Sequence, residues 1–447
     1  MRLFLLMVAI SMFFCTLPGC GGGSGSSGFI GAVNNSDDSS GRVTTPEDWQ
    51  LLDIAAFPAG GMLIPNVKAA HDDAGHVHIA YFTDSLTTDG EYTIEHIEWN
   101  PLTRDQVMQS SVIDIDNCRT LGLSLSQGED PVVAYQGGDI REGGSEQLSD
   151  VMISLRDNNS WTEYTAGVGY VERNPVFEDG LAGKQVSLAI DSTGDIHVCY
   201  QFFYEGIDAM NFNYPDLLYV RMDGSSLSEE AVEEPVEGNV YNDNGTAGEQ
   251  NRVGQDACII LDEQEDPVIV YYADLAPNMA DQSQKGLRIA RRLNDAWVCE
   301  WIETGIEVGD ITCSLDNDGN ICVAYYVEGE YTDALGTHRQ CLKYARQQES
   351  SWDIAIVDET VWCGRYCSLA FDESGMPAIA YYAMQNHSGS QILNDLRFAR
   401  YSGSSWGREV VASTGDIGLY NTLFYDEGTA YIGTYSSSND TIYLVFR

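Results

Sequence analysis

The stretch Ser368-Leu-Ala-Phe-Asp-Glu-Ser-Gly-Met-Pro-Ala-Ile-Ala-Tyr-Tyr382 decides the architecture. A small-apolar strand runs into an acidic turn, and a second strand ends in aromatics. Asp395-Leu-Arg-Phe-Ala-Arg-Tyr401 supplies a third strand and Trp406-Gly-Arg-Glu-Val-Val411 a fourth. Working outward, the acidic turn recurs at Asp72, Ser126, Asp191, Asp262, Asp316, Asp372 and Asp426, in steps of 54, 65, 71, 54, 56 and 54 residues. Before each turn, apolar residues alternate as on a half-packed strand, for example Leu188 and Ile190 or Leu369 and Phe371. After it come β-branched and aromatic runs such as Val270-Tyr-Tyr272 and Val323-Ala-Tyr325. Four short strands per repeat, seven times over, predict an all-β, seven-bladed β-propeller of four-stranded antiparallel blades.

The chain ends test this reading. The last copy stops after its third strand at Arg447, whereas Asp48-Trp-Gln-Leu-Leu-Asp-Ile54 matches the Trp-led fourth strands. An unpaired edge is a liability, so the N-terminal strand is expected to close the last blade in a three-plus-one arrangement.

The domains follow: residues 1–19 a signal peptide, 20–45 a lipidated Cys and flexible tether, and 46–447 the propeller. Met1-Arg2 is a short positive region, and Leu3 to Leu17 an apolar run shorter than a membrane span. Leu17-Pro18-Gly19-Cys20 resembles the bacterial lipobox, which implies cleavage before Cys20 and lipidation on it. Gly21 after the Cys points, by analogy with other lipoproteins, to the outer membrane. Residues 21–28 read as a Gly/Ser tether.

Sixty-eight acidic residues against 23 basic give a net charge of -45, with Lys68, Lys184, Lys285 and Lys343 the only lysines. Such a chain is not a nucleic-acid binder, which needs clustered Lys and Arg. No cofactor is expected. Asp316-Asn-Asp-Gly-Asn320 is the one stretch that invites Ca2+, but its Gly is at the fourth rather than the sixth position of an EF-hand loop. A hairpin turn explains it better. No C-x-x-C pair occurs and the seven His are scattered, so no metal is assigned. His78 and His197 alternate within second strands, which suits packing.

Nine cysteines remain after Cys15 and Cys20. Disulfides persist in exported proteins. A turn centred on Asn317-Asp318 would put Cys313 opposite Cys322, close enough for a bridge. Cys363 and Cys367, in a loop between blades, form the second candidate pair.

One face of the ring carries tight turns. The other carries the long insertions: residues 137–148, 201–216, 230–254, 273–285, 327–340 and 383–394. Variable loops on a rigid scaffold are where function sits. Seven residues before the turn, at the mouth of the channel, stand Pro65, Arg119, Lys184, Gln255, Gly309, Arg365 and Leu419. Arg119, Lys184 and Arg365, with Arg252 nearby, could focus positive charge on a carboxylate or sulfate; the alternative is that they neutralise Asp256 and Asp310. The loop following Gln201 adds Phe203, Tyr204 and Tyr214, flat rings suited to sugar faces.

The array from Trp49 onward resembles sialidase-like, BNR-repeat propellers, although no copy has the full Ser-x-Asp-x-Gly-x-x-Trp spacing. That resemblance implies lectins, glycoside hydrolases or polysaccharide lyases, and none of their catalytic sets maps onto this sequence residue by residue. Three functions follow in order: a monomeric, membrane-anchored binding module for a glycan or protein ligand; a glycan-active lyase or hydrolase at the channel mouth; and an envelope assembly scaffold.

Overall fold

The computed structural model describes residues 46, 48–56, 66–84, 92–115, 120–127, 129–137, 150–157, 160–167, 170–173, 176–204, 215–233, 252–275, 282–332, 338–360, 362–385, 393–413 and 415–447. They form seven antiparallel sheets, six of four strands and one of five. The only helical turn among them is a single 3-10 turn, Gln282–Gln284. The signal peptide, Cys20 and the tether lie outside the described residues.

The ring closes as the repeat requires. The N-terminal strand Gln50–Ala56 pairs antiparallel with the last strand Thr441–Phe446, Leu51 opposite Val445, and becomes the outermost strand of the seventh blade. Trp49 anchors this seam at 2% exposure, edge-on to Phe398 at 5.3 Å and beneath the Arg447 guanidinium at 4.6 Å.

Seven hydrophobic clusters hold the ring, and each lies between two neighbouring blades rather than within one. A blade is a twisted sheet with two apolar faces and can bury them only on its neighbours. The second strands are therefore apolar on both faces: Pro131–Gly137 is buried throughout. Their tyrosines end in carboxylates of fourth strands. Tyr271 donates to Glu233, Tyr325 to Glu303 and Tyr381 to Asp358, in each case on the preceding blade. A third-strand cation joins each pair: Arg288, Lys343 and Arg397 respectively.

The fifth strand of the third blade, Tyr170–Arg173, pairs with the start of a long inner strand, Val176–Ile190. The repeat pattern did not anticipate it.

The turn register corrects the first disulfide pairing. Gly319 N–H bonds to the Asp316 carbonyl, and Asp316 N–H to that of Asn320. A three-residue loop with Gly319 in the left-handed region (φ 77) thus replaces a two-residue turn. The register moves by one: Cys313 faces Val323 and Cys322 faces Ser314. A one-residue slip reverses the face, so Cys313 packs between the fourth and fifth blades and Cys322 between the fifth and sixth. Cys363 and Cys367 do not lie in a loop; both sit in the inner strand Cys363–Phe371, with their thiols directed at the carbonyls of Asp358 and Asp310. All eight described cysteines are free.

Candidate functional site at the channel mouth

The inner strands begin on the long-loop face and end at the tight turns. In blades three to seven each carries a bulge near its start, where the register skips between Lys184 and Ser187, Gln255 and Cys258, Gly309 and Thr312, Arg365 and Ser368, and Leu419 and Thr422. At all five, one residue takes positive φ: Gln185 (60°), Asp256 (52°), Asp310 (51°), Tyr366 (51°) and Tyr420 (55°). The extra residue of a bulge re-aims the side chains around it.

The residues that meet one another around the axis are therefore six, not seven, positions before the turn. Gln185 donates to Asp256 at 2.6 Å. Asp310 feels the charge of Asp256 and accepts the Tyr366 backbone N–H, and its carboxylate in turn acts on the hydroxyls of Tyr366 and Tyr420, whose rings lie 4.7 Å apart. Tyr366 also stands edge-on to Tyr382 at 5.9 Å, and Tyr382 donates to Asp416. A sequence signal existed: in all seven copies this position is polar or Tyr (Asn66, Thr120, Gln185, Asp256, Asp310, Tyr366, Tyr420), inside otherwise apolar strands.

Arg365, one position earlier, turns toward the preceding blade. It lies over the Tyr326 ring at 5.3 Å and bonds Glu328 at 2.9 Å. Asp310 is the electrostatic outlier. Burial and the Asp256 carboxylate raise its pKa to about 7, against the opposing pull of Arg365.

Deeper in the channel, five blades below the bulge pass a side chain to the next inner strand: Ser187 accepts from Ile259 N–H, Cys258 from Cys313, Thr312 from Leu369 and Ser368 from Leu423, and Thr422 donates to the Val67 carbonyl. The first blade places Lys68 at this level. Burial lowers its pKa, opposed by Cys258, Asp310 and Cys367 around it.

Of the remaining sequence candidates, Arg119 and Tyr214 lie outside the described residues. Lys184, Phe203, Tyr204 and Arg252 lie in strands, but their side chains fall outside what the structure describes. The structure therefore brings Arg365 to the mouth and tests none of the others. His78 and His197 are buried and bonded to turn carboxylates on the opposite face.

Trp362 went unnoticed in the sequence. It precedes the sixth blade on the long-loop face, three residues before Arg365, is 50% exposed, and sits at φ 40. Positive φ on a bulky residue costs on the order of 1–3 kcal/mol and gathers at functional sites. Nothing in its type announces that exposure.

No known protein-family model matches this chain, and no curated protein does. Solved structures do. A polysaccharide lyase of family PL25, an ulvan lyase bound to -[GlcA(1-4)Rha3S]-, aligns at TM-score 0.51 and 10% identity, covering 88% of this chain and 95% of that one. A second ulvan lyase structure gives 0.51 and 11% over the same shares. That likeness is one of fold. Trypanosoma rangeli sialidase with sialic acid aligns at 0.43 and 10%, covering 88% of this chain and 59% of that one.

Proposed function

We propose that this protein is an exported propeller, lipid-anchored through Cys20 at the outer membrane, that binds a glycan at its long-loop channel mouth. The observation that carries the reading is Trp362, an exposed indole on strained backbone, three residues from a rim of Arg365, Glu328, Tyr366 and Tyr420. An indole face stacks on the C–H face of a sugar, and carboxylates with one guanidinium suit its hydroxyls. Among the described residues, carboxylates at this rim (Asp256, Asp310, Glu328, Asp416) outnumber Arg365. A glycan array probed with the purified protein tests the reading: glycan hits support it. No glycan hit, together with recovery of envelope proteins in pull-downs, would leave the scaffold reading standing instead.

A second reading rests on Asp310. A carboxyl that titrates near neutrality beside Arg365 has the pKa of a general acid or base. The shared fold with ulvan lyase is compatible with a glycan-cleaving role. Assaying array hits for new reducing ends or unsaturated uronate products separates binding from turnover.

A further inference from the structure

On the face opposite the mouth, each blade except the second opens its first turn with an Asp, and the repeats give one another an internal control. In the described turns of blades one, three, four, five and six, Oδ1 of that Asp accepts the backbone N–H four residues on. At one third-strand position, blades three to six carry Arg: Arg221 opposite His197, Arg291 opposite Val268, Arg346 opposite Cys322 and Arg400 opposite Ala378. In three of them this Arg clamps a turn carboxylate: Arg221 on Asp195, Arg346 on Asp316 and Arg400 on Asp372. The Ca2+-like turn at Asp316 is thus already served by Arg346 and Asn320.

The first blade inverts this charge. The same third-strand position, opposite His78, holds Glu98. Asp72 and Glu98 then face one turn with a single imidazole between them. His76 Nδ1 is 3.0 Å from Glu98 Oε1 and 3.5 Å from Asp72 Oδ2. Arg156 of the second blade pairs with the other Glu98 oxygen, Oε2, at 3.8 Å. Asp72 is buried, Glu98 and His76 half-buried, and their three donor atoms lie within 4.8 Å of one another.

We infer that Asp72, His76 and Glu98 form a site for a borderline divalent cation of the zinc class. A tetrahedral ion with ligands about 2.1 Å away holds them about 3.4 Å apart, which these separations already approach. One imidazole nitrogen with two carboxylates suits Zn2+ or a later first-row ion better than Ca2+ or Mg2+. Asp72 is held in place from behind by two histidines. His78 Nε2 lies 3.3 Å from its Oδ2, and His78 Nδ1 3.1 Å from His96 Nε2, both rings fully buried. With three protein ligands, a fourth position remains for water. The cation does in the first blade what Arg does in the third, fifth and sixth, tying turn to third strand, independently of any glycan at the mouth.

The test uses the purified full chain, stripped with chelator, and ZnCl2 as the probe in calorimetry and thermal melts at pH 7. Wild type is expected to bind zinc and gain melting temperature with zinc concentration. His76→Ala and Glu98→Gln should lose at least about tenfold in affinity. Glu98→Arg, which installs the side chain of the sister blades but sets it beside Arg156, should lose the zinc response, with its zinc-free melting temperature read as the control for folding. The inference is overturned if wild type fails to bind zinc, or if Glu98→Arg and His76→Ala retain wild-type affinity. The first result would mean that His76 alone bridges the carboxylates; the second would place the zinc on other residues.

Discussion

Asp358 is a fully buried carboxylate between the fifth and sixth blades, and replacing it by Asn isolates what the inter-blade clamps contribute. Its side chain is 0% exposed. It accepts from Tyr381 Oη at 2.7 Å, Arg408 at 2.9 Å, Arg397 at 3.3 Å, and the hydroxyl and N–H of Thr360. Breaking a buried ion pair from one side costs about 3–5 kcal/mol, because the partner stays behind uncompensated. Arg408 is 42% exposed and can return to water, and Arg397 keeps Asp395 at 3.7 Å. The lower end, about 3 kcal/mol, is therefore expected. With unfolding entropy near 2.1 cal/mol/K per residue over roughly 400 residues, that is a fall of about 4 °C in Tm. Burial pushes the Asp358 carboxyl up, but Thr360, Tyr381 and Arg408 outweigh it and hold the pKa below the usual range. The contribution is thus complete above the unfolded-state value near 3.9 and shrinks as pH falls from there through the folded value. Denaturant and thermal unfolding of wild type and Asp358→Asn between pH 3 and 8 measure this directly. A loss under about 1 kcal/mol at pH 7, or a gap that widens in acid, would refute the reasoning.

Other consequences follow from the same geometry. Asp310 has the opposite sign: its raised pKa makes the ionised form a burden that grows from about pH 4 to about 7. Asp310→Asn should therefore stabilise by on the order of 2 kcal/mol at pH 8 and change nothing at pH 4, read by unfolding at both. Gly364 sits at φ 113, where a Cβ would come within 3.0 Å of the Leu342 backbone; Gly364→Ala should cost about 2 kcal/mol or more in the same assay. Trp49→Ala removes the plug of the closing seam and should cost about 3–5 kcal/mol, with the fraction folded followed by near-UV circular dichroism.

Much of the fold was legible because repetition supplies its own alignment. The turn Asp, the Trp-led outer strands and the truncated last copy gave blade number and ring closure without any side-chain geometry. The bulges were not legible: Tyr366 and Tyr420 carry no propensity for positive φ, and only the packed ring imposes it. That one added residue moved the axial position from Arg365 to Tyr366. The same kind of miscount, three loop residues instead of two before Asn320, separated Cys313 from Cys322. The second-strand tyrosines Tyr271, Tyr325 and Tyr381 are fully buried between blades, as aromatic residues at the ends of apolar strands favour. Glu98 shows the converse case: its sequence held the anomaly, an acid where sister strands have Arg, but only the pairing register aligns those positions.

The central claim is that the rim around Trp362 holds a sugar. Titrating an array hit into wild type and Trp362→Ala, with melting temperatures as the control for folding, tests it most directly. Loss of about tenfold or more in affinity at unchanged Tm is the predicted result. Equal affinity in the two proteins would contradict it and move the binding surface elsewhere on the ring.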